Sequence, residues 1–146
     1  MARNKPDFEY NEQIAEAFKK PSSGAGGLAD YLDIQMVDVG PGTMQGRLTV
    51  RDDFLTRIGN MHGGVLSAFC DHMLGCVCYP VMKKGQWAAT TEFKVNLTAP
   101  VTKGVVDAYA EIINMSRTQA VVQIELFNED RLVAVAQGTV TIRDPR

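Results

Sequence analysis

The sequence has no basic tract. Its 15 lysines and arginines are set against 17 aspartates and glutamates, for a formal net charge of −2. That excludes the positive footprint a nucleic-acid partner requires. No apolar run reads as long enough to span a bilayer, and the opening "MARNKPDFEYNEQ" lacks the apolar core of a signal peptide. The expectation is a cytoplasmic protein with neither nucleic acid nor membrane as partner. Cysteine is scarce: Cys70, Cys76 and Cys78 are the only three. An odd number clustered in nine residues is a poor disulfide framework, so buried, inert thiols are expected.

Signature spacings are missing too. His62, Cys70, Asp71, His72, Cys76 and Cys78 could be metal ligands by type, but there is no CxxC or HExxH spacing. Only His72 and Cys76 share a helix face, so neither a metal nor a cofactor is expected. Ser67 has no G-x-S-x-G elbow, and no histidine stands in triad order. There are no internal repeats, and no low-complexity tract beyond "SSGAGG".

What is present suits one domain with one core: 146 residues, 45% hydrophobic and 22% charged. Residues 11–20 predict a short amphipathic helix, with Ile14, Ala17 and Phe18 at helical spacing. "PSSGAGG" predicts a flexible connection, which divides 1–27 from a single domain over 28–146. From Leu28 the pattern reads as extended. "YLDIQMVDVGPG" and the alternating "TMQGRLTV" form a hairpin. A helix over 63–78 follows. Then come four strands, "TTEFKVNLT", "VVDAYAEIINM", "AVVQIELF" and "RLVAVAQGTVTI", the last two joined by an "NED" turn. The fold class is α+β: a curved antiparallel sheet of about six strands around one long helix, with a short N-terminal helix.

The long helix has two unlike sides. Leu66, Phe69, Cys70, Met73 and Val77 share one side, flanked by Val65 and Leu74. The other carries Gly64, Ser67, Ala68, Asp71, Gly75 and Cys78, all small except Asp71. Surface helices usually show Lys, Glu, Arg or Gln, and this face shows none. Asp71 is therefore expected to be partly buried, where a carboxylate has a raised pKa and serves as base or nucleophile. The "HGG" at 62–64 opens the helix. Its glycines can relieve strain in a loop. Their amides can also stabilise a developing oxyanion at the positive end of the helix dipole.

These residues carry a resemblance. The loop "TRIGNMHGG", Asp71 nine residues after His62, and the strand "TTEFKVNLTAPVTKG" with Pro100 and Gly104 together resemble the hotdog-fold acyl-CoA thioesterases of the PaaI-like branch. The likeness covers roughly residues 30–142. It implies that the Gly63 amide polarises the thioester carbonyl and that Asp71 attacks it or activates water. Thr90 would hold that water, and His62 would orient the loop. It also implies an acyl-CoA substrate and a homodimer or dimer of dimers. Thr56, Arg57, Asn60 and Gly64 are the candidate substrate-binding residues. Thr56 departs from the family, which commonly has Asn or Gln there; either threonine does a reduced job, or another residue such as Asn60 serves, or activity is low. Arg57, Lys103, Arg117, Arg131 and Arg143 are candidates for the coenzyme A nucleotide. The alternative is a non-catalytic acyl-CoA or acyl-chain binding protein. Dehydratase or isomerase chemistry on acyl thioesters ranks below both.

One geometric expectation follows from helix length. Gly63 and Asp71 are eight residues apart, about 12 Å of rise at roughly 1.5 Å per residue. Two groups acting on one carbonyl must each lie within roughly 3 Å of it. One helix cannot supply both, whereas two antiparallel copies can.

Overall fold

A computed structural model describes residues 7–21, 24 and 26–145. Helix α1 (Glu12–Lys19) starts where the Asn11 side chain accepts the Ile14 N–H at 3.1 Å. Its inward residues are Ala15, buried, and Phe18, half-buried, while Ala17 is exposed. The helix is held to the domain by Asn11 N–H to the Pro80 carbonyl and Tyr10 hydroxyl to the Val39 carbonyl, both 2.8 Å. Of the expected flexible connection, residues 22, 23 and 25 lie outside the described residues.

The extended reading from Leu28 is corrected by the structure. Residues Leu28–Leu32 form a short helix, α2, closed by Asp33 in the left-handed conformation at φ 53°. The Asp33 and Ile34 amides bond back to the Asp30 and Ala29 carbonyls. A segment of five residues is too short for its period to declare itself.

The six strands are β1 (Gln35–Gly40), β2 (Thr43–Thr49), β3 (Trp87–Leu97), β4 (Val105–Met115), β5 (Gln119–Asn128) and β6 (Arg131–Arg143). All pairings are antiparallel, in the order β1-β2-β4-β5-β6-β3. The expected first hairpin is present, its turn using Gly42 at φ 72°. The "NED" turn is present, with Glu129 at φ 56°. Strand β3 begins three residues before the expected "TTEFKVNLT" and forms one edge of the sheet.

Helix α3 (Gly63–Cys76) lies on the inner face of the sheet. Leu66, Phe69, Cys70, Met73, Leu74 and Val77 are each at most 3% exposed. Each such side chain contributes about 1.5–3 kcal/mol by leaving water. The helix is two residues shorter than expected, because the chain passes into a 3-10 turn over Tyr79–Val81 with Pro80 inside it. Cys78 keeps right-handed helical dihedrals, φ −78° and ψ −32°, but is fully buried, not on the outer face, with its thiol 3.6 Å from the Leu74 carbonyl oxygen. The expectation that no run is long enough to span a bilayer also needs correction. Residues 63–81 reach that length and apolarity, but half of them are buried within the domain.

Two glycines let α3 approach the sheet. A Cβ on Gly46 would lie 2.6 Å from the Met73 sulfur, and one on Gly138 would lie 2.6 Å from the Glu92 carbonyl oxygen and 3.2 Å from Leu74. Met73 is flexible at its end, whereas the Glu92 carbonyl belongs to the β3–β6 ladder. Gly138→Ala should therefore destabilise by about 1–3 kcal/mol, and Gly46→Ala by clearly less. Denaturant melts of the two variants check this order. Burial also pushes the thiols of Cys70, Cys76 and Cys78 up to about 12. A disulfide-exchange reagent at mildly alkaline pH should titrate none of the three in the folded protein and all three in strong denaturant.

Candidate active site

The site is built where the loop after β2 meets α3. His62 has extended dihedrals, φ −63° and ψ 129°, and is the N-cap residue of the helix. Its Nδ1 accepts the Gly64 N–H at 2.9 Å, the task a Ser or Asp side chain usually performs. Nδ1 must be unprotonated to do so, which places the neutral ring's proton on Nε2. The approach to the helix is pinned on both sides. The Met61 N–H donates to the Val101 carbonyl at 2.7 Å, and the His62 N–H to Phe54 at 2.8 Å.

The two glycine amides therefore differ. The Gly64 N–H is taken by His62. The Gly63 N–H donates to no group among the described residues. It points out of the helix start, where the dipole favours negative charge.

Thr56 and Asn60 close the preceding turn on each other. The Thr56 N–H donates to the Asn60 carbonyl at 2.8 Å, and the Thr56 hydroxyl to Asn60 Oδ1 at 3.1 Å. Gly59, at φ 84°, supplies the left-handed residue this turn requires. Arg57 and Ile58 stand exposed at its tip, Ile58 at 87%.

Asp71 sits two turns further along α3. This chain does not give it the expected partial burial: it is exposed, and its carboxylate has no hydrogen bond or ion pair among the described residues. The reason is the face it occupies. Gly64 is exposed, Ser67, Ala68 and Gly75 are half-exposed, and a Cβ on Gly75 would meet nothing within 4 Å. Beside Asp71, His72 is half-buried with its Nε2 3.5 Å from the Cys76 sulfur. Burial lowers its pKa, and the Asp71 charge opposes that shift in part. No three His, Cys, Asp or Glu side chains converge as a metal-binding group among the described residues.

Thr90 pairs with Val140, which is fully buried, so its side chain is on the helix-facing side of β3. The register shifts there, and Thr91 turns outward to bond the Thr141 hydroxyl. Among the basic candidates, Arg57 and Lys103 are exposed. Arg117 lies 3.8 Å from Asp144, and Arg131 donates to the Pro100 carbonyl.

The structure thus gathers Thr56, Asn60, His62, Gly63 and Gly64 at one helix mouth. It does not bring Asp71 there. It also adds Leu97, which sequence reasoning missed. A Cβ on Gly63 would lie 2.5 Å from Leu97 Cδ1. Leu97 falls in the expected strand "TTEFKVNLT", and its pairing with buried Ala134 puts it on the inner face, but nothing in the sequence pattern said that β3 ends over Gly63.

Residues 58–135, 78 of the 146, match the family model described as the thioesterase superfamily. A Saccharolobus solfataricus protein named as an esterase is 27% identical over 127 residues, covering 86% of this chain and 87% of that one. The 1,4-dihydroxy-2-naphthoyl-CoA hydrolase of Listeria monocytogenes is 24% identical over 121 residues, covering 82% of this chain and 98% of that one. The structure of PaaI, from the phenylacetic acid degradation operon of E. coli, superposes with a TM-score of 0.80 at 21% identity. It covers 92% of this chain and 94% of that one. With a six-stranded antiparallel sheet around one helix, the fold it shares with PaaI, and a family match over more than half its length, the chain belongs to the thioesterase superfamily, on the hotdog fold.

Proposed function

We propose that the protein hydrolyses an acyl-CoA thioester to free acid and coenzyme A, at two equal sites shared across a homodimer. Each site takes the Gly63 N–H from one chain and Asp71 from the other. The observation that carries this reading is the pair of unsatisfied groups on α3. One amide at its N-terminus and one carboxylate on its small outer face are both without a partner among the described residues. They lie about 12 Å apart along a single helix.

A second copy of α3, packed antiparallel on the small face, brings each N-terminus to the middle of its neighbour. The free edge of β3 gives that copy a strand to pair with. The Gly63 amide then holds the carbonyl oxygen as it gains charge. Asp71 either attacks the carbonyl carbon, expelling the thiolate and leaving a mixed anhydride that water then cleaves to free acid and the restored carboxylate, or takes a proton from a water that attacks the carbonyl carbon directly and expels the thiolate. The Thr90 hydroxyl holds that water. The small face admits the slim pantetheine arm, and Arg57 at the exposed turn meets the nucleotide phosphates.

The binding-protein alternative has one observation in its favour: the Thr56 O–H donates to Asn60, so the side chain has no donor left where the family has an amide. Release of free thiol from a panel of aryl- and alkyl-CoA thioesters separates the readings, since a binder takes up the thioester without releasing coenzyme A.

Asp71→Asn keeps the shape and removes the base, so kcat should fall by roughly 10²–10⁴-fold with KM little changed. Steady-state kinetics on the best substrate of the panel test this, and near-wild-type turnover would remove Asp71 from the mechanism. The shared site has its own test. Gly63→Pro disables the opposite half of the site: it removes the N–H at the first helical position, whose backbone suits proline, and its ring also displaces the Leu97 methyl that a Cβ there would meet at 2.5 Å. Each homodimer should be nearly inactive. A mixed dimer carries one doubly defective site and one intact site, so mixing should recover up to about half the wild-type activity per dimer. Verified, folded mixed dimers that stay as inactive as the parents would refute the arrangement.

A further inference from the structure

Glycine at 63 and 64 is not required by backbone conformation. Both residues lie within α3, and neither has a positive φ. What each position lacks is room. A Cβ on Gly64 would stand 3.0 Å from His62 Nδ1 and 3.3 Å from Cε1, crowding the ring that caps it. A Cβ on Gly63 would stand 2.5 Å from Leu97 Cδ1. The first glycine therefore has its own steric partner, the apolar end of the Leu97 side chain.

Leu97 is the last residue of β3 and pairs with the buried Ala134. Directly after it, the Thr98 N–H donates to the Val133 carbonyl at 2.9 Å and the Thr98 hydroxyl to the Leu132 carbonyl at 2.8 Å. The backbone there cannot drift. Yet Leu97 is 50% exposed, which is unusual for a large apolar side chain on the inner face of a sheet. One side of it covers Gly63, and the other is left open.

We infer that Leu97 is a positioning residue for the Gly63 amide: it shields that N–H from water, and residue 63 is glycine so that the shield can close. An oxyanion donor in a water-poor setting stabilises charge far better than one competing with solvent. The inference rests on the reading of Gly63 as the oxyanion donor.

A double-mutant cycle tests it. Leu97→Ala should lower kcat by about tenfold with KM within about threefold, and Leu97→Met should stay within about twofold of wild type. Gly63→Ala keeps the N–H but adds the Cβ, displacing Leu97, so it should also cost about tenfold. Because both changes remove one contact, the double variant should stay near tenfold rather than reach about a hundredfold. Wild-type kcat in Leu97→Ala, or losses that multiply, would overturn the inference. So would losses in Leu97→Ala and Leu97→Met alike that track a fall in Tm. Gly63→Pro in the Leu97→Ala background removes the N–H where there is room for the ring, and should cost a further 10²–10³-fold or so. If it costs nothing further, Gly63 is not the donor, and the proposed mechanism fails together with this inference. If only the cycle fails, the mechanism stands without Leu97.

Discussion

Burial of Leu66, Phe69, Cys70, Met73, Leu74 and Val77 against the curled sheet fixes the rotation of α3 about its own axis. With that side committed, the face of Gly64, Ser67, Ala68, Asp71 and Gly75 has one orientation available, away from the sheet. The depth of the seat depends on Gly46 and Gly138, which remove two Cβ atoms from the helix's path. A sheet of six strands closing on one side of the helix leaves that outer face uncovered among the described residues. Asp71 stands exposed on that face, its carboxylate without a hydrogen bond or ion pair among the described residues. It is the group that a close-approaching helix or ligand would meet first.

The same rigidity explains how one helix mouth distinguishes two adjacent amides. A helix leaves its first N–H groups without internal partners. Here His62 satisfies Gly64 by folding its ring back over the first turn, while the pinned backbone at Met61 and His62 holds the loop still. The Gly63 donor is left over by construction. Thr56 and Asn60 contribute indirectly, by locking the turn that delivers His62 to its position. Their hydrogen bonds to each other give them a place in the loop's architecture whatever they also offer a substrate.

Much of this was legible from the residues. The apolar stripe read from the sequence is buried at Leu66, Phe69, Cys70, Met73, Leu74 and Val77, because side chains at helical spacing on one face share one environment; the buried Cys76 was outside it and the flanking Val65 is only half-buried. The strand-like runs and the turns between them predicted β3 to β6, because apolar and β-branched residues bounded by polar turn clusters mark strands. Failures came where local signals are short or truncated. Leu28–Leu32 is a single turn whose period is unreadable. Cys78 was carried past the end of the helix, although Pro80 already marked a change of structure.

The sequence by itself determined which residues could do chemistry: one carboxylate on a face of small residues, and a His-Gly-Gly triplet opening the same helix. It also set their separation, because helical rise is a property of the backbone alone. Tertiary structure decided what those residues are free to do. Only the folded loop shows that the His62 ring takes one glycine amide and spares the other. Only the sheet, returning Leu97 over Gly63 from 34 residues away, shows what a side chain at that position would meet. Contacts between residues distant in the chain depend on where a strand ends against a helix, and periodicity, which reports only faces, carries no record of that.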